Sequence, residues 1–273
     1  MNIDIIYSPE MVVNVDSYSP SPSKAKLLVD LWKDRCCTYI APKPATLKDF
    51  YTTHDEEYVN GVFSKQLENG FGTRSNAVNT ALSYTNGAMI TATERAINTG
   101  NHVGALCSGF HHAGYSFGGG FCTFNGLIMA SLYASTNLGA KVGILDADEH
   151  YGNGTVDIIN HLELDIPHYT VGMAFSTPSQ VNTFFKRLPA IVDSFVGCDA
   201  LIYQAGADPY INDPLGGWLT IPQLRERDRI VFSRCHKMGI PVAWNLAGGY
   251  SNVNSIKRIH TNTLLECWRV YNK

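Results

Sequence analysis

The chain has no apolar run approaching the roughly 18 residues that a helical membrane span requires. It also has no run of basic residues. With 21 Lys and Arg against 24 Asp and Glu, the net charge is −3. Broad electrostatic attraction to nucleic acid or to an anionic lipid surface is therefore not expected. The opening MNIDIIYSPE lacks the basic-then-apolar order of a secretory signal. Seven cysteines is an odd number, their spacing is not that of a zinc finger, and the neighbours Cys36 and Cys37 cannot pair comfortably with each other. A reduced, cytoplasmic compartment is the expectation. The glycine runs GGGF and AGGY lack the G-x-G-x-x-G context after a first strand, and no lysine follows them as in a phosphate-binding loop. That argues against a nucleotide site. Nothing in the sequence sets the oligomeric state.

The composition is that of a globular domain, 45% hydrophobic and 16% charged over 273 residues. A globule of this size buries roughly 75% of its unfolded surface. Short apolar runs recur as IDIIY (3–7), HVGALC (102–107), KVGILDAD (141–148), HYTVGM (168–173), DALIYQAG (199–206) and PVAWNLAGG (241–249). Helical patterns lie between them. SPSKAKLLVDLWKD offers Ser21 as N-cap and Pro22 at the first helical position, and a long helix should stop at Gly100. Residues 124–136, 179–196, 222–238 and 253–271 are further helix candidates. This alternation, without a linker or repeat, predicts one α/β domain over 1–273, a three-layer α/β/α arrangement around a largely parallel sheet.

The stretch ILDADEHYGNGT (144–155) spends Asp146, Asp148 and His150 on one face of what begins as a buried strand. Alone, such a pattern also fits strand-end residues that cap the next helix. Other strand ends add to it. SGFHHAG supplies His111 and His112, AGADP supplies Asp208, and AGGY supplies Tyr250 behind two glycines. In an open parallel sheet these ends meet at one rim, where ligands bind. Asp148, His150 and Asp208 suit a catalytic zinc ion, one per chain, which takes three protein ligands and leaves a position for water or substrate. His112 and His111 can share base and acid work if their pKa values are held apart. Asp146 is better placed to orient His111 than to bind the metal. Tyr250 can donate to a substrate carbonyl as an oxyanion stabiliser.

At this point the chain resembles the zinc-dependent histone deacetylase superfamily, which includes acetylpolyamine amidohydrolases and acetoin-utilisation proteins. The resemblance rests on YSPEM, HDEEYV (54–59), FHHAGY with GGGFCTFNG (110–126), DADEHYGNGT (146–155), GADPYINDPLG (206–216) and LAGGY (246–250), which follow the family order. It implies an arginase/deacetylase-like fold with an eight-stranded parallel sheet, and zinc on Asp148, His150 and Asp208. It implies that His111 and His112 are the tandem histidines, the second usually the general base, and that Tyr250 polarises the carbonyl. It places Gly120 and Phe121 on a wall of an acyl-lysine tunnel and Leu215 near its mouth. It also implies a potassium ion that Asp146, Asp148 and the His150 carbonyl could serve. Iron(II) can replace zinc in such a site.

The chain also departs from the family pattern. Tyr151 stands where many members carry a second histidine, and Asn153 where many have an aspartate that orients the second catalytic histidine. CSGF replaces the usual proline-glycine lead. AFSTPSQVNTFF stands in place of a PGTG-like loop, leaving Phe175 as the candidate second tunnel wall. Gly172 replaces a serine at the potassium site. The resulting expectation is a metal-dependent amidohydrolase acting on a small-molecule or peptide acyl-amine, such as acyl-lysine or acetylpolyamine. The alternatives are a catalytically silent acyl-amine-binding module and an arginase-type binuclear hydrolase. Glu149 and HDEEY could attract a cationic amine, although a solvated surface is the simpler reading of exposed acids.

Overall fold

A computed structural model describes residues 1–272. Strand β1 (Ile3–Ile6) leads through α1 (Ser21–Trp32) to β2 (Cys37–Ile40), and three helices follow: α2 (Leu47–Tyr51), α3 (Glu56–Phe63) and α4 (Asn76–Thr99). From there strands and helices alternate as β3 (Val103–Ala105), α5 (Gly126–Leu138), β4 (Val142–Asp146), α6 (Asn153–His161), β5 (His168–Thr170) and α7 (Val181–Asp193). The chain closes with β6 (Ala200–Gln204), α8 (Ile221–Met238), β7 (Val242–Asn245) and α9 (Val253–Arg269). The sheet runs β2-β1-β3-β7-β6-β4-β5, and every pairing is parallel.

Helices cover both faces, which is why β4 and β6 are buried at every position. Ile5, Leu145, Leu201, Tyr203 and Trp244 pack against α1, α7, α8 and α9. Ile144, Ile202, Ala105 and Ala243 pack against α3, α4, α5 and α6. Because strand side chains alternate, Asp146 continues the row of Val142 and Ile144 toward the second layer.

The described residues form seven strands where the resemblance implied eight. Edge strand β5 is only three residues long before Val171–Met173 tightens into a 3-10 turn. Ser21 is the first residue of α1 and does not cap it; Pro20 holds the cap position. Pro22 has no N–H to cap, and the Ser21 hydroxyl instead accepts from Ser19 Oγ and Ser108 Oγ, both at 2.9 Å. Gly100 ends α4 at φ +68°, as its sequence position suggested. β2, α2 and α3 carry weak sequence signals. α2 is set by a Thr46–Asp49 capping box, and α3 by Asp55, whose carboxylate accepts from Tyr58 N at 2.9 Å.

Phe124 is fully buried, with its ring centroid 4.6 Å from that of Phe50 and 5.6 Å from those of Tyr58 and Phe63. Phe124→Ala is expected to cost ~3–5 kcal/mol, read from urea denaturation. A loss below ~1 kcal/mol would show that this cluster does not support the fold.

Candidate metal centre and active site

The loops after β3, β7, β6 and β4 are neighbours because those strands are neighbours in the sheet. Each delivers polar side chains to the same rim. Past the end of β4 the chain bends, and Asp148 N donates to Asp146 Oδ1 at 3.2 Å. Asp148 and Asp208 are buried, at 2% and 0% exposure, and face each other across His150. His150 Nδ1 lies 3.2 Å from Asp148 Oδ1 and 3.1 Å from Asp208 Oδ2. One ligand atom from each of the three residues lies within 4.8 Å of the others. Two carboxylates and one imidazole converging in this way fit a divalent ion held by three protein ligands.

The electrostatics follow from two buried acids side by side. Burial and the Asp148 carboxylate push Asp208 up. Burial opposes ionisation of Asp148 too, but the His111 charge and the His150 hydrogen bonds outweigh it and hold Asp148 low. Hydrogen bonds to Asp148 and Asp208 carry His150 up to about 11.

The tandem histidines are held differently. His111 Nδ1 lies 2.7 Å from Asp146 Oδ2 in a buried pair. Burial alone would lower His111, but Asp146 and then Asp148 raise it to about 9. Asp146 is itself fixed, since Gln204 Nε2 donates to its Oδ1 at 2.9 Å. His112 Nδ1 lies 2.6 Å from Asn153 Oδ1. An amide oxygen only accepts, so Nδ1 carries the proton and Nε2 keeps its lone pair. Burial, then the charge on His111, lowers His112 below its ordinary value. The two rings are 4.1 Å apart, one biased to the charged form and the other to the neutral form.

Tyr250 is carried by the loop after β7. Its N–H and that of Ser251 donate to Asp213 Oδ2 at 2.7 and 2.9 Å, and Asp213 Oδ1 accepts from Leu215 N at 3.1 Å. Burial, then the charges of Asp148 and Asp208, raise the phenol, so it stays a donor. Its ring sits between Phe121, at 5.7 Å, and Tyr18, at 6.2 Å. Gly248 has φ +47°, and a Cβ there would lie 2.3 Å from the Asp208 carboxyl carbon, so only glycine lets this loop approach. Lys24, 2% exposed, secures the same loop from below: its Nζ donates to the carbonyls of Leu246, at 3.0 Å, and Gly248. A small pocket at this rim is lined by His111, Gly120, Phe121, Asp148, Gln204 and Tyr250 among others.

Two expectations change, those on Phe175 and on HDEEY, while the lack of a side chain at Gly172 stands as expected. Phe175 does not face Phe121. The 3-10 turn after β5 turns Met173 outward and Phe175 inward, where it is 3% exposed between Phe184 and Trp218. An apolar ring gains more from that core than from a wet rim. Position 172 has no space for a side chain, because a Cβ would lie 2.2 Å from the Glu149 carbonyl oxygen; it adds no side-chain donor beside Asp146 and Asp148. HDEEY is not uniformly a solvated surface. His54 is buried; its Nε2 accepts from Asn125 N, and its Nδ1 lies 2.9 Å from the Gly114 carbonyl oxygen, bracing the tandem-histidine loop. Glu149 is half-buried, and burial raises it to about 7. Leu215 is 39% exposed. Sequence reasoning missed Lys24, Gln204 and Asp213; only Asp213 carried a signal, in the quoted DPLG.

The family model for the histone deacetylase domain matches residues 21–166 and 163–267. The chain belongs to this family. Among other histone deacetylase relatives it is similar to acetylpolyamine amidohydrolase 1 of Pseudomonas aeruginosa, 27% identical over 59% of this chain and 55% of that protein. It is similar to histone deacetylase 2 of Arabidopsis thaliana, 29% identical over 58% of this chain and 46% of that one. The chain thus aligns with about half the length of these relatives. An uncharacterized protein of Picosynechococcus is 28% identical over 76% of this chain and 77% of its own length. The crystal structure of the HDA15 HD domain superposes with a TM-score of 0.80 at 20% identity, covering 99% of this chain and 90% of that one. That likeness supports the arginase/deacetylase-like α/β fold. No helix among the described residues is long and apolar enough to cross a membrane.

Proposed function

We propose that this histone deacetylase family chain is a metal-dependent amidohydrolase that removes an acyl group, such as acetyl, from an acyl-lysine or acetylpolyamine amine. One observation carries the reading: the Asp148–His150–Asp208 cluster shares one rim with two histidines of opposite charge bias and with a phenol donor. Zinc held there would lower the pKa of a water to near 7 and polarise the amide carbonyl. Neutral His112 takes the water's proton at Nε2, its other nitrogen being committed to Asn153. Charged His111, held by Asp146, faces the same reacting centre and supplies a proton to the leaving amine. Tyr250 donates from its hydroxyl to the carbonyl oxygen as charge develops. Potassium beside Asp146 and a cytoplasmic setting belong to this reading as proposals.

The test is acid release from acetyl-lysine peptide, longer acyl-lysine peptides, acetylated polyamines and free N-acetyl-lysine by zinc-loaded protein. Preference within the panel supports the reading and names the substrate. No release from any member, with zinc bound, overturns it in favour of a silent binding module.

The pH profile adds a second check. A base with a depressed pKa is lost only when the pH falls through that value, so the acidic limb of kcat/KM should lie below 6.5, the ordinary imidazole value. Asn153→Asp places a carboxylate on His112 and favours its charged form. The limb should then move about one unit or more toward higher pH. An unmoved limb would assign the base elsewhere.

A further inference from the structure

Beneath the two ligand-bearing loops lies a charge that the reaction above does not use. Arg227, near the end of the second turn of α8, is 1% exposed. Its Nη1 donates to two carbonyls at once, Ala147 at 3.0 Å and Gly206 at 2.7 Å. Ala147 directly precedes Asp148, and Gly206 stands two residues before Asp208. The guanidinium is anchored in turn. Nε donates to Asp228 Oδ1 at 3.0 Å, and Nη2 lies 2.9 Å from the same oxygen. Asp228 also accepts from the Tyr203 hydroxyl of β6 at 2.5 Å and from Thr263 Oγ1 of α9 at 2.6 Å. The guanidinium carbon lies 5.8 Å from the Tyr203 ring centroid.

Removing a guanidinium from water is costly, and a buried ion pair is often replaceable by apolar residues without loss of stability. What apolar residues cannot do is bond two carbonyls. The β4–β6 ladder ends at the pair Asp146–Gln204. Beyond it the loops share a bond from Ala147 N to the Gln204 carbonyl at 3.0 Å, and then diverge toward their ligands. Arg227 closes them again from the side of α8. Two carboxylates directed at one ion repel each other, so their spacing needs a rigid brace behind them.

We infer that Arg227 is a positioning residue of the metal centre, clamping the loops of Asp148 and Asp208 through their backbone carbonyls and placing a fixed positive charge behind the ligand pair. The inference rests on reading Asp148, His150 and Asp208 as metal ligands. Arg227→Lys keeps the charge but replaces the planar fork, whose separate nitrogens reach the carbonyls and Asp228, with one compact ammonium on a shorter stem.

The experiment measures zinc affinity by competition with a chromophoric chelator, and the visible absorption of the cobalt(II)-loaded protein. Circular dichroism and thermal melting report the fold. Zinc affinity of Arg227→Lys should fall about 10–100-fold and its cobalt bands should change, while far-ultraviolet dichroism stays as in the parent. A merely structural role would lower the melting temperature and leave affinity and spectrum of the folded molecules unmoved. Should Arg227→Lys fail to fold, the paired Arg227→Met with Asp228→Asn removes both charges at similar volume and is read the same way. Parent-like affinity and spectrum in a folded variant overturn this inference alone. Parent protein that binds neither ion overturns the reading of the metal centre, and this inference with it.

Discussion

Asp208→Ala is expected to leave a folded protein with almost no bound metal and no measurable amide hydrolysis. Asp208 lies in the loop after β6, is fully buried, and supplies one of the three ligand atoms that converge among the described residues. Its Oδ2 lies 3.1 Å from His150 Nδ1, and its Oδ1 accepts from Glu149 N at 3.3 Å. A catalytic zinc ion needs three protein ligands to keep one position open. With two, His150 has only Asp148 beside it, and the ion is no longer held against solvent. The fold should tolerate the change, because burial already disfavours the ionised form of this acid. Metal content by atomic absorption, with circular dichroism as the control for folding, checks the expectation. Full metal content and activity in Asp208→Ala would remove the site.

Tyr250→Phe should behave differently: metal retained, turnover reduced about 10²–10³-fold, equivalent to about 2.7–4 kcal/mol of transition-state stabilisation. The substitution leaves Asp148, His150 and Asp208 intact, so the metal has no reason to leave. The phenyl ring keeps the packing between Phe121 and Tyr18, and the Asp213 bonds to the backbone of residues 250 and 251 do not involve the hydroxyl. Only the donor to the developing oxyanion is lost. An interaction made in the transition state lowers kcat more than it raises KM, so steady-state kinetics on the zinc-loaded variant should show the loss in kcat. Unchanged turnover would sink the assignment. The two variants separate the roles: one inactive without metal, the other slowed with metal still bound.

Several residues were legible because their spacing repeats a structural period. Asp146, Asp148 and His150 stand two apart at the end of an apolar run, which marked them as strand-end residues, although only Asp146 lies in β4 and the bend after it places the other two. Phe175 was not legible. Nothing in AFSTPSQVNTFF shows that the turn after Thr170 rotates its ring into the core beside Trp218. His54 looked like part of an acidic surface stretch, yet it is buried and bonded to a loop some 60 residues away.

The sequence by itself determined the class of fold, the family, and which side chains could reach one rim of the sheet, because alternating apolar patterns and strand-end polar residues are local properties. Only the tertiary structure decided the pairings. It set Asp146 on His111 and Asn153 on His112, brought Asp208 against His150, and drove Lys24 under the Tyr250 loop and Arg227 under the ligand loops. These contacts join residues from 35 to 222 positions apart. Such charges and hydrogen bonds become strong only where several elements exclude water together, and the sequence of no single element records that exclusion.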